Sequence, residues 1–202
     1  MAGMAYLFGL RTNDYVLLAA DKVCFAHGAI VVTNDHDKSF RLGEKLMMMC
    51  IGEDGDVAQF GDYVEKNLQL YKLRNGYEIT PRSAMHWIRK AIADNLRSQD
   101  HYTVDTLVGG YDEHDNKPFL GSIDYLGNAL SDQPYLFRGF SGRFCYAILD
   151  KLYRPDMTEE EGHEAMMKCL NEVKKRFVAN LPTFQVVMIN KDGIRQLDDI
   201  SV

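Results

Sequence analysis

The sequence predicts an α+β fold in which two antiparallel β-sheets are covered on their outer faces by pairs of helices. Segments of strand length and segments of helical periodicity alternate in blocks along the 202 residues. The helices come in pairs, which disfavours a parallel doubly wound sheet, because that fold places a helix after each strand. No long linker, low-complexity tract or short repeat divides the sequence, so we expect a single domain over 1–202.

The first quarter of the chain is predicted to contain four strands. The segment AYLFGLRTNDYVLLAAD (5–21) is typical of two strands joined by a turn at Thr12-Asn13-Asp14, and its second strand is apolar from Tyr15 to Ala20. GAIVVTN (28–34) is rich in β-branched residues, and KLMMMCIG (45–52) is a continuous apolar run of strand length.

Two helices are predicted next. Phe60, Val64 and Leu68 recur at helical spacing, and Asn75-Gly76 is a helix-end signal. The second helix begins with Thr80 as N-cap and Pro81 at the first helical position. Its predicted inward face consists of Ala84, Trp87, Ile88, Ala91, Ile92 and Leu96.

The second half repeats this order with strands over 103–112 and 118–124, two helices and a closing hairpin. The segment FSGRFCYAILDKLYR (140–154) is predicted to be a helix that buries Phe144, Ala147, Ile148 and Leu152. The following helix opens with a capping box formed by Thr158 and Glu161. The turn Lys191-Asp192-Gly193 separates the last two strands.

Composition disfavours several classes of function. With 46% hydrophobic and 26% charged residues, the chain is typical of a globular protein. Its net charge of −6 disfavours nucleic-acid binding, and no segment approaches the roughly 20 apolar residues of a transmembrane helix. The motifs GxGxxG, GxxxxGK[ST] and HExxH do not occur, and we expect no cofactor.

The four cysteines, Cys24, Cys50, Cys145 and Cys169, are scattered through apolar segments without a CxxC pair. This distribution is typical of buried, reduced thiols. It favours a reducing compartment, and we expect a cytoplasmic and nuclear location.

The histidines do not predict a metal site. His36 and His114 each lie among acids in a polar loop, but a cluster on one side of an ion cannot complete a coordination shell. His86 and His163 lie in predicted helices, where a packed or exposed imidazole is common. We therefore expect no metal.

Three further residues are candidates for chemistry. Asp21 ends a buried strand, Lys38 follows the next strand, and Asp156 precedes the last long helix. Each also has a structural interpretation, as a turn acid, a loop cation and an acid ahead of a helix cap. The residues alone leave both interpretations open.

The chain resembles the proteasome beta-type subunits, a family of N-terminal-nucleophile hydrolases, from about Tyr6 to the final hairpin. The segments NDHDKSF (34–40) and NLQLYKLRNGYE (67–78) are most similar to the branch that occupies the fourth position of the beta ring. The other matching motifs are YVLLAAD (15–21), CIGEDGD (50–56), YKLRNGYEITP (71–81), LVGGYDE (107–113), YRPDMTEEE (153–161), RFVANLPTF (176–184) and KDGI (191–194). The resemblance implies a four-layer αββα sandwich and partners that are other proteasome alpha and beta subunits in stacked, seven-membered, hetero-oligomeric rings.

Active members of this family carry an N-terminal threonine that is freed by removal of a propeptide. Its hydroxyl attacks the peptide carbonyl, and its own α-amine, with a pKa of about 8, serves as base. By resemblance, Asp21 and Lys38 fall on the supporting aspartate and lysine, and Lys38 requires a one-residue insertion. Asp156 falls on a later supporting aspartate.

The loop Gly139-Phe140-Ser141-Gly142 aligns with the Gly-Ser-Gly loop of active members. In the simplest register Phe140 takes the position of the serine. Ser141 lies one residue away.

The position of the threonine falls on Ala5, or on Met4 or Tyr6 with a shift of one residue. None of these side chains offers a suitable hydroxyl, and Thr12 lies inside a predicted turn. Only a few residues precede the first strand, so we expect no propeptide and no catalytic residue. The resemblance then implies a non-catalytic structural subunit of the proteasome core in ubiquitin-dependent protein degradation. An active threonine-type hydrolase with an unrecognised processing site and a free-standing binding domain are the alternatives.

Overall fold

The computed structural model describes residues 4–27 and 30–202. The helices are α1 (Asp54–Asn75), α2 (Pro81–Asn95), α3 (Tyr146–Leu152) and α4 (Glu159–Arg176), with a 3-10 turn over Ser141–Phe144. The strands are β1 (Leu7–Arg11), β2 (Tyr15–Asp21), β3 (Cys24–Ala26), β4 (Ile30–Thr33), β5 (Ser39–Arg41), β6 (Leu46–Gly52), β7 (Val104–Asp112), β8 (Lys117–Ile123), β9 (Ala129–Ser131), β10 (Tyr135–Arg138), β11 (Thr183–Asn190), β12 (Gly193–Gln196) and β13 (Ile200–Ser201).

The strands form two large antiparallel sheets and one small one. The first sheet has the order β10-β1-β2-β11-β12, with β13 paired to β11. The second has the order β5-β6-β7-β8-β9. Strands β3 and β4 pair as a separate antiparallel hairpin.

Three apolar cores hold the layers together. One lies between the first sheet and α3 and α4, and a second lies between the second sheet and α1 and α2. The third joins the inner faces of the two sheets. The fold is therefore the predicted four-layer αββα sandwich, since each sheet buries one face against helices and the other against its partner sheet.

The position of β2 in the sandwich explains why its sequence is apolar up to Asp21. All seven of its residues are buried. Leu17 and Ala19 belong to the core on the helix side, whereas Val16 and Leu18 belong to the core between the sheets. Side chains alternate between faces along a strand, and here both faces are covered, so no polar alternation remains. Across the sheets, a Cβ on Gly109 would come within 2.8 Å of Leu18, which shows how closely they approach.

The helix caps agree with the sequence signals. The Thr80 hydroxyl accepts a hydrogen bond from the N–H of Ser83, and Thr158 and Glu161 form both halves of a capping box. Gly76 ends α1 in the left-handed conformation with φ of 79°. Every described helix is too short or too polar to span a lipid bilayer.

Two predictions about strands need correction. The described part of the first quarter contains six strands rather than four, because β3 and β5 have three residues each and are too short to show a period of two. The sequence likewise does not predict β9 and β10 as separate strands. Of the predicted strand at 28–34, residues 28 and 29 lie outside the described residues.

The predicted inward face of the 140–154 helix is also wrong. The segment is broken into the 3-10 turn and the seven-residue α3, and this break changes the rotational phase of the residues in α3. Cys145 and Leu149 are the buried hydrophobic residues of the segment, Ala147 is exposed, and the other three predicted residues are half-buried. In α2 the inward face is confirmed at Ala84, Ile88 and Ile92, whereas Trp87, Ala91 and Leu96 are half-buried.

Candidate functional site

Asp21 is a fully buried carboxylate at the end of β2. Its Oδ1 accepts a hydrogen bond of 2.7 Å from the main-chain N–H of Tyr6. Its Oδ2 accepts from the N–H of Val23 at 3.0 Å and from the Nζ of Lys38 at 2.7 Å. A buried charge needs such partners, because an unpaired one would carry a large desolvation penalty.

Lys38 completes the pair and is itself 5% exposed. Its Nζ also donates to the carbonyl of Val23 at 2.9 Å, and its own carbonyl accepts from the N–H of Cys50 on β6. The structure thus brings Asp21 and Lys38 together as the resemblance implied. The backbone groups of Tyr6 and Val23 that complete this site carry no sequence signal, because every residue except proline offers them.

A cleft of about 480 Å³ opens beside this pair. Its walls come from the start of the described chain, the β3 hairpin, the end of β6 and the start of α1. The lining residues are Met4, Ala5, Val23, Phe25, Ala26, His27, His36, Lys38, Cys50, Ile51, Gly52, Glu53, Asp54 and Val57.

The threonine position predicted from the resemblance lies in this cleft. Met4 and Ala5 line it together with Lys38, and among the lining residues that the structure describes none is a serine or threonine. Thr12 is at the far end of β2, where its hydroxyl accepts from the N–H of Tyr15 at 3.2 Å within the hairpin turn. A hydroxyl nucleophile is therefore not supplied by these residues.

Two thiols lie near the pair, and both favour the protonated form. The Sγ of Cys24 donates to Oδ2 of Asp54 at 3.4 Å, and burial together with this carboxylate raises the pKa of the Cys24 thiol. Burial also raises the pKa of Cys50 well above its usual range. Because the thiolate is the nucleophilic form, neither cysteine is activated here. All four cysteines are free; three are buried as expected, and Cys24 is half-buried.

The loop 139–142 lies against the same stretch of backbone. A Cβ on Gly139 would come within 1.9 Å of the carbonyl oxygen of Ala5, and Gly139 has φ of 86°. Phe140 is 52% exposed, whereas Ser141 is fully buried and its Oγ has no hydrogen-bond partner among the described residues. Neither side chain lines the cleft beside Lys38.

Asp156 does not join the pair. Its side chain is 77% exposed and lies 3.8 Å from the Nε of Arg154. The adjacent carbonyl of Pro155 accepts from the N–H of Asn13, in the turn that joins β1 to β2. This places Asp156 near the end of β2 opposite Asp21, roughly 20 Å along the strand. The supporting role that the resemblance assigned to it is therefore not fulfilled, and it is a surface acid ahead of the α4 cap.

The histidines are spread over the surface and the cleft. His36 lines the cleft, His114 is exposed in the β7–β8 turn, His86 is exposed on α2, and His163 is half-buried on α4. Within residues 4–27 and 30–202, no three His, Cys, Asp or Glu side chains converge as metal ligands would.

An αββα sandwich with a buried Asp–Lys pair at the end of its second strand has the architecture of the N-terminal-nucleophile hydrolases. The chain belongs to the proteasome subunit family, since the family model described as "Proteasome subunit" matches residues 5–189. It is therefore a component of the proteasome core, the assembly that degrades proteins, and it assembles with other proteasome subunits.

The relatives to which the chain is similar are beta-type subunits of the proteasome. The chain is 61% identical to "Proteasome subunit beta type-2" of Caenorhabditis elegans, over 98% of this chain and 99% of the relative. It is 40% identical to "Proteasome subunit beta type-4" of Saccharomyces cerevisiae, over 97% and 98%. It is 35% identical to "Proteasome subunit beta type-2-A" of Arabidopsis thaliana, over 95% and 92%.

Proposed function

We propose that this chain is a non-catalytic structural subunit of the proteasome core. It occupies the fourth position of a seven-membered beta ring, which stacks between a second beta ring and an alpha ring. It completes the chamber wall and sets the register of its neighbours during ubiquitin-dependent protein degradation in the cytoplasm and nucleus.

The side chains at the nucleophile position carry the proposal. Met4 and Ala5 line the cleft beside Lys38, and neither has a group that can attack a carbonyl. This reasoning does not depend on where the mature chain begins. Cleavage before either residue would expose an α-amine but no hydroxyl.

The Asp21–Lys38 pair then has a structural role. Its hydrogen bonds join the residue immediately before β1, the end of β2 and the segment ahead of β5 at one edge of the sandwich. Loss of either member alone would leave the charge of the other buried and unpaired, so the pair stabilises this edge of the sandwich.

Active-site labelling of the assembled particle tests the proposal. The particle is purified through an affinity tag on this chain and treated with a peptide electrophile that forms adducts with N-terminal threonines. We expect adducts on other beta subunits, which serve as the internal positive control, and none on this chain. An adduct on this chain, or an N-terminal threonine found by sequencing it, would support the processed-hydrolase alternative instead.

Size-exclusion chromatography of native material tests the assembly. We expect the chain in a complex of several hundred kilodaltons. Elution as a stable 23.1 kDa monomer would favour the free-standing binding domain.

A further inference from the structure

A second cleft shares no lining residue with the cleft beside the Asp21–Lys38 pair. It has a volume of about 360 Å³ and is formed where β10 leads through the 3-10 turn into α3. The side chains that give it chemical character are Asp105, Arg138, Phe140, Arg143 and Tyr146.

Two guanidinium groups face this cleft with unused donors. Arg138 donates from one Nη to the Oγ of Ser122 at 2.8 Å, but its buried Nε has no acceptor among the described residues. Arg143 is exposed, and within the described part of the chain it has no carboxylate within ion-pair distance. A buried donor without an acceptor is costly, so an additional acceptor here would stabilise the protein.

The charge of the cleft fits one carboxylate. Asp105 is the acid among the lining residues, and burial raises its pKa while Arg138 opposes that shift. With Asp105 ionised, the two arginines leave a net charge of +1. A polyanion such as a nucleic acid is disfavoured by the net charge of −6 on the whole chain, whereas a single Asp or Glu side chain is not.

The aromatic walls indicate a protein partner. Phe140 is 52% exposed and Tyr146 41% exposed, and the Cζ of Arg143 lies 5.2 Å from the Phe140 ring centroid. Arginine and aromatic residues are enriched at protein interfaces and among the residues that dominate binding energy. A guanidinium held against a ring is also pre-organised to bind a carboxylate through two parallel hydrogen bonds.

We propose that this cleft receives an Asp or Glu side chain of another proteasome subunit, with Arg143 as its main cation. The inference rests on the proposed assembly into the core. It adds the chemistry by which one face of this chain is recognised.

Charge reversal of Arg143 tests the inference in assembled particles. The tagged chain is co-expressed with the remaining proteasome subunits of its organism, and incorporation is measured by native gel and quantitative mass spectrometry. We expect Arg143→Glu to lower incorporation about tenfold or more, because two carboxylates then face each other. Arg143→Lys keeps the charge and is expected to incorporate to within about threefold of the wild type.

The matched control is Arg97→Glu, which makes the same charge change at another exposed arginine, beyond the end of α2. We expect wild-type incorporation for this variant. Normal incorporation of Arg143→Glu, or an equal loss in both variants, would overturn the inference. Failure of the wild-type chain to enter a large complex would instead overturn the proposed function.

Carbodiimide coupling identifies the partner directly. In particles that contain the Arg143→Lys variant, the new amine can condense with a carboxylate in contact with it, and the carbodiimide takes up the water. We expect a cross-linked peptide that joins position 143 to an Asp or Glu of another subunit. A cross-link to Asp105 alone, or none in fully assembled particles, would contradict the inference.

Discussion

At the scale of single residues, Asp21 and Lys38 form a buried ion pair that also makes hydrogen bonds with the backbone of Tyr6 and Val23. Asp21 is fully buried, and its oxygens accept three hydrogen bonds in total. Replacing both members with apolar residues of similar volume can be neutral, but removing one leaves an uncompensated charge. The stability of this edge of the sandwich therefore depends on keeping the two together.

We expect Lys38→Met to lower the free energy of unfolding by about 3 kcal/mol, because it removes the counter-charge and leaves the Asp21 carboxylate buried. Urea unfolding of the purified chain measures the change. Lys66→Met is the matched control, since Lys66 makes an exposed pair with Asp62 on α1, and we expect a change below about 0.5 kcal/mol. An equal change in the free energy of unfolding for the two variants would contradict this expectation, because the buried pair would then contribute no more than the exposed one.

A substitution of Lys38 also distinguishes a structural role of the pair from a catalytic one. We expect Lys38→Ala to leave peptide hydrolysis unchanged when the rate is normalised to the amount of assembled particle, because the cleft supplies no hydroxyl for Lys38 to activate. Fluorogenic peptide assays on purified particles check this. A large loss of normalised activity would mean that the pair takes part in catalysis.

At the scale of elements, α4 is docked onto β2 through a close contact between Gly162 and Tyr15. The Tyr15 hydroxyl donates to the carbonyl of Thr158 at 2.7 Å, and a Cβ on Gly162 would come within 2.2 Å of that hydroxyl. Glycine in a helix normally costs about 1 kcal/mol relative to alanine. At position 162 the space that the Tyr15 hydroxyl occupies matters more for stability than the higher helix propensity of alanine.

We expect Gly162→Ala to destabilise the fold by about 1–3 kcal/mol, because the methyl group displaces Tyr15 from its hydrogen bond. In a Tyr15→Phe background the clashing oxygen is absent, and the same substitution should cost less. Urea unfolding of the four variants of this cycle gives the coupling energy. The control is Gly55→Ala in α1, where nothing lies within 4 Å and no loss is expected; a loss equal to that of Gly162→Ala would contradict the packing explanation.

How well an element is predicted from the sequence depends on how local its cause is. The caps at Thr80 and Thr158 and the end of α1 at Gly76 are fixed by residues within one turn, and all were predicted correctly. Strands β3 and β5 were missed because three residues carry no periodicity.

The candidate site likewise has some features with a local cause in the sequence and others that depend on tertiary contacts. The sequence motifs single out Asp21 and Lys38, and the structure shows that the two side chains are in contact. The exposed position of Asp156 depends on how the 153–158 segment crosses the hairpin turn, which is a tertiary contact that no motif encodes. The cleft at Arg143 likewise forms only when β7, which supplies Asp105, lies beside β10, the 3-10 turn and α3.

At the scale of the whole molecule, the stacking of four layers places several tyrosines in environments that disfavour tyrosinate. Burial raises the pKa of Tyr6, Tyr15 and Tyr153 above the usual value near 10. The hydrogen bond from Tyr135 to the Asp150 carboxylate raises the pKa of Tyr135 to about 12. The folded state therefore holds these protons to higher pH than the unfolded chain does.

This difference predicts that the fold loses stability in alkali. As the pH rises above 10, the unfolded chain releases tyrosine protons that the folded chain still binds, so the free energy of unfolding falls. Denaturant unfolding between pH 8 and pH 12 measures the slope, and near-ultraviolet absorbance monitors tyrosinate formation. We expect Tyr135→Phe to reduce the slope between pH 10 and pH 12 by up to one proton, because one of the retained protons is then missing in both states. An unchanged slope would mean that Tyr135 releases its proton equally easily in the folded and unfolded chains, and the Asp150 hydrogen bond would then contribute nothing to the linkage.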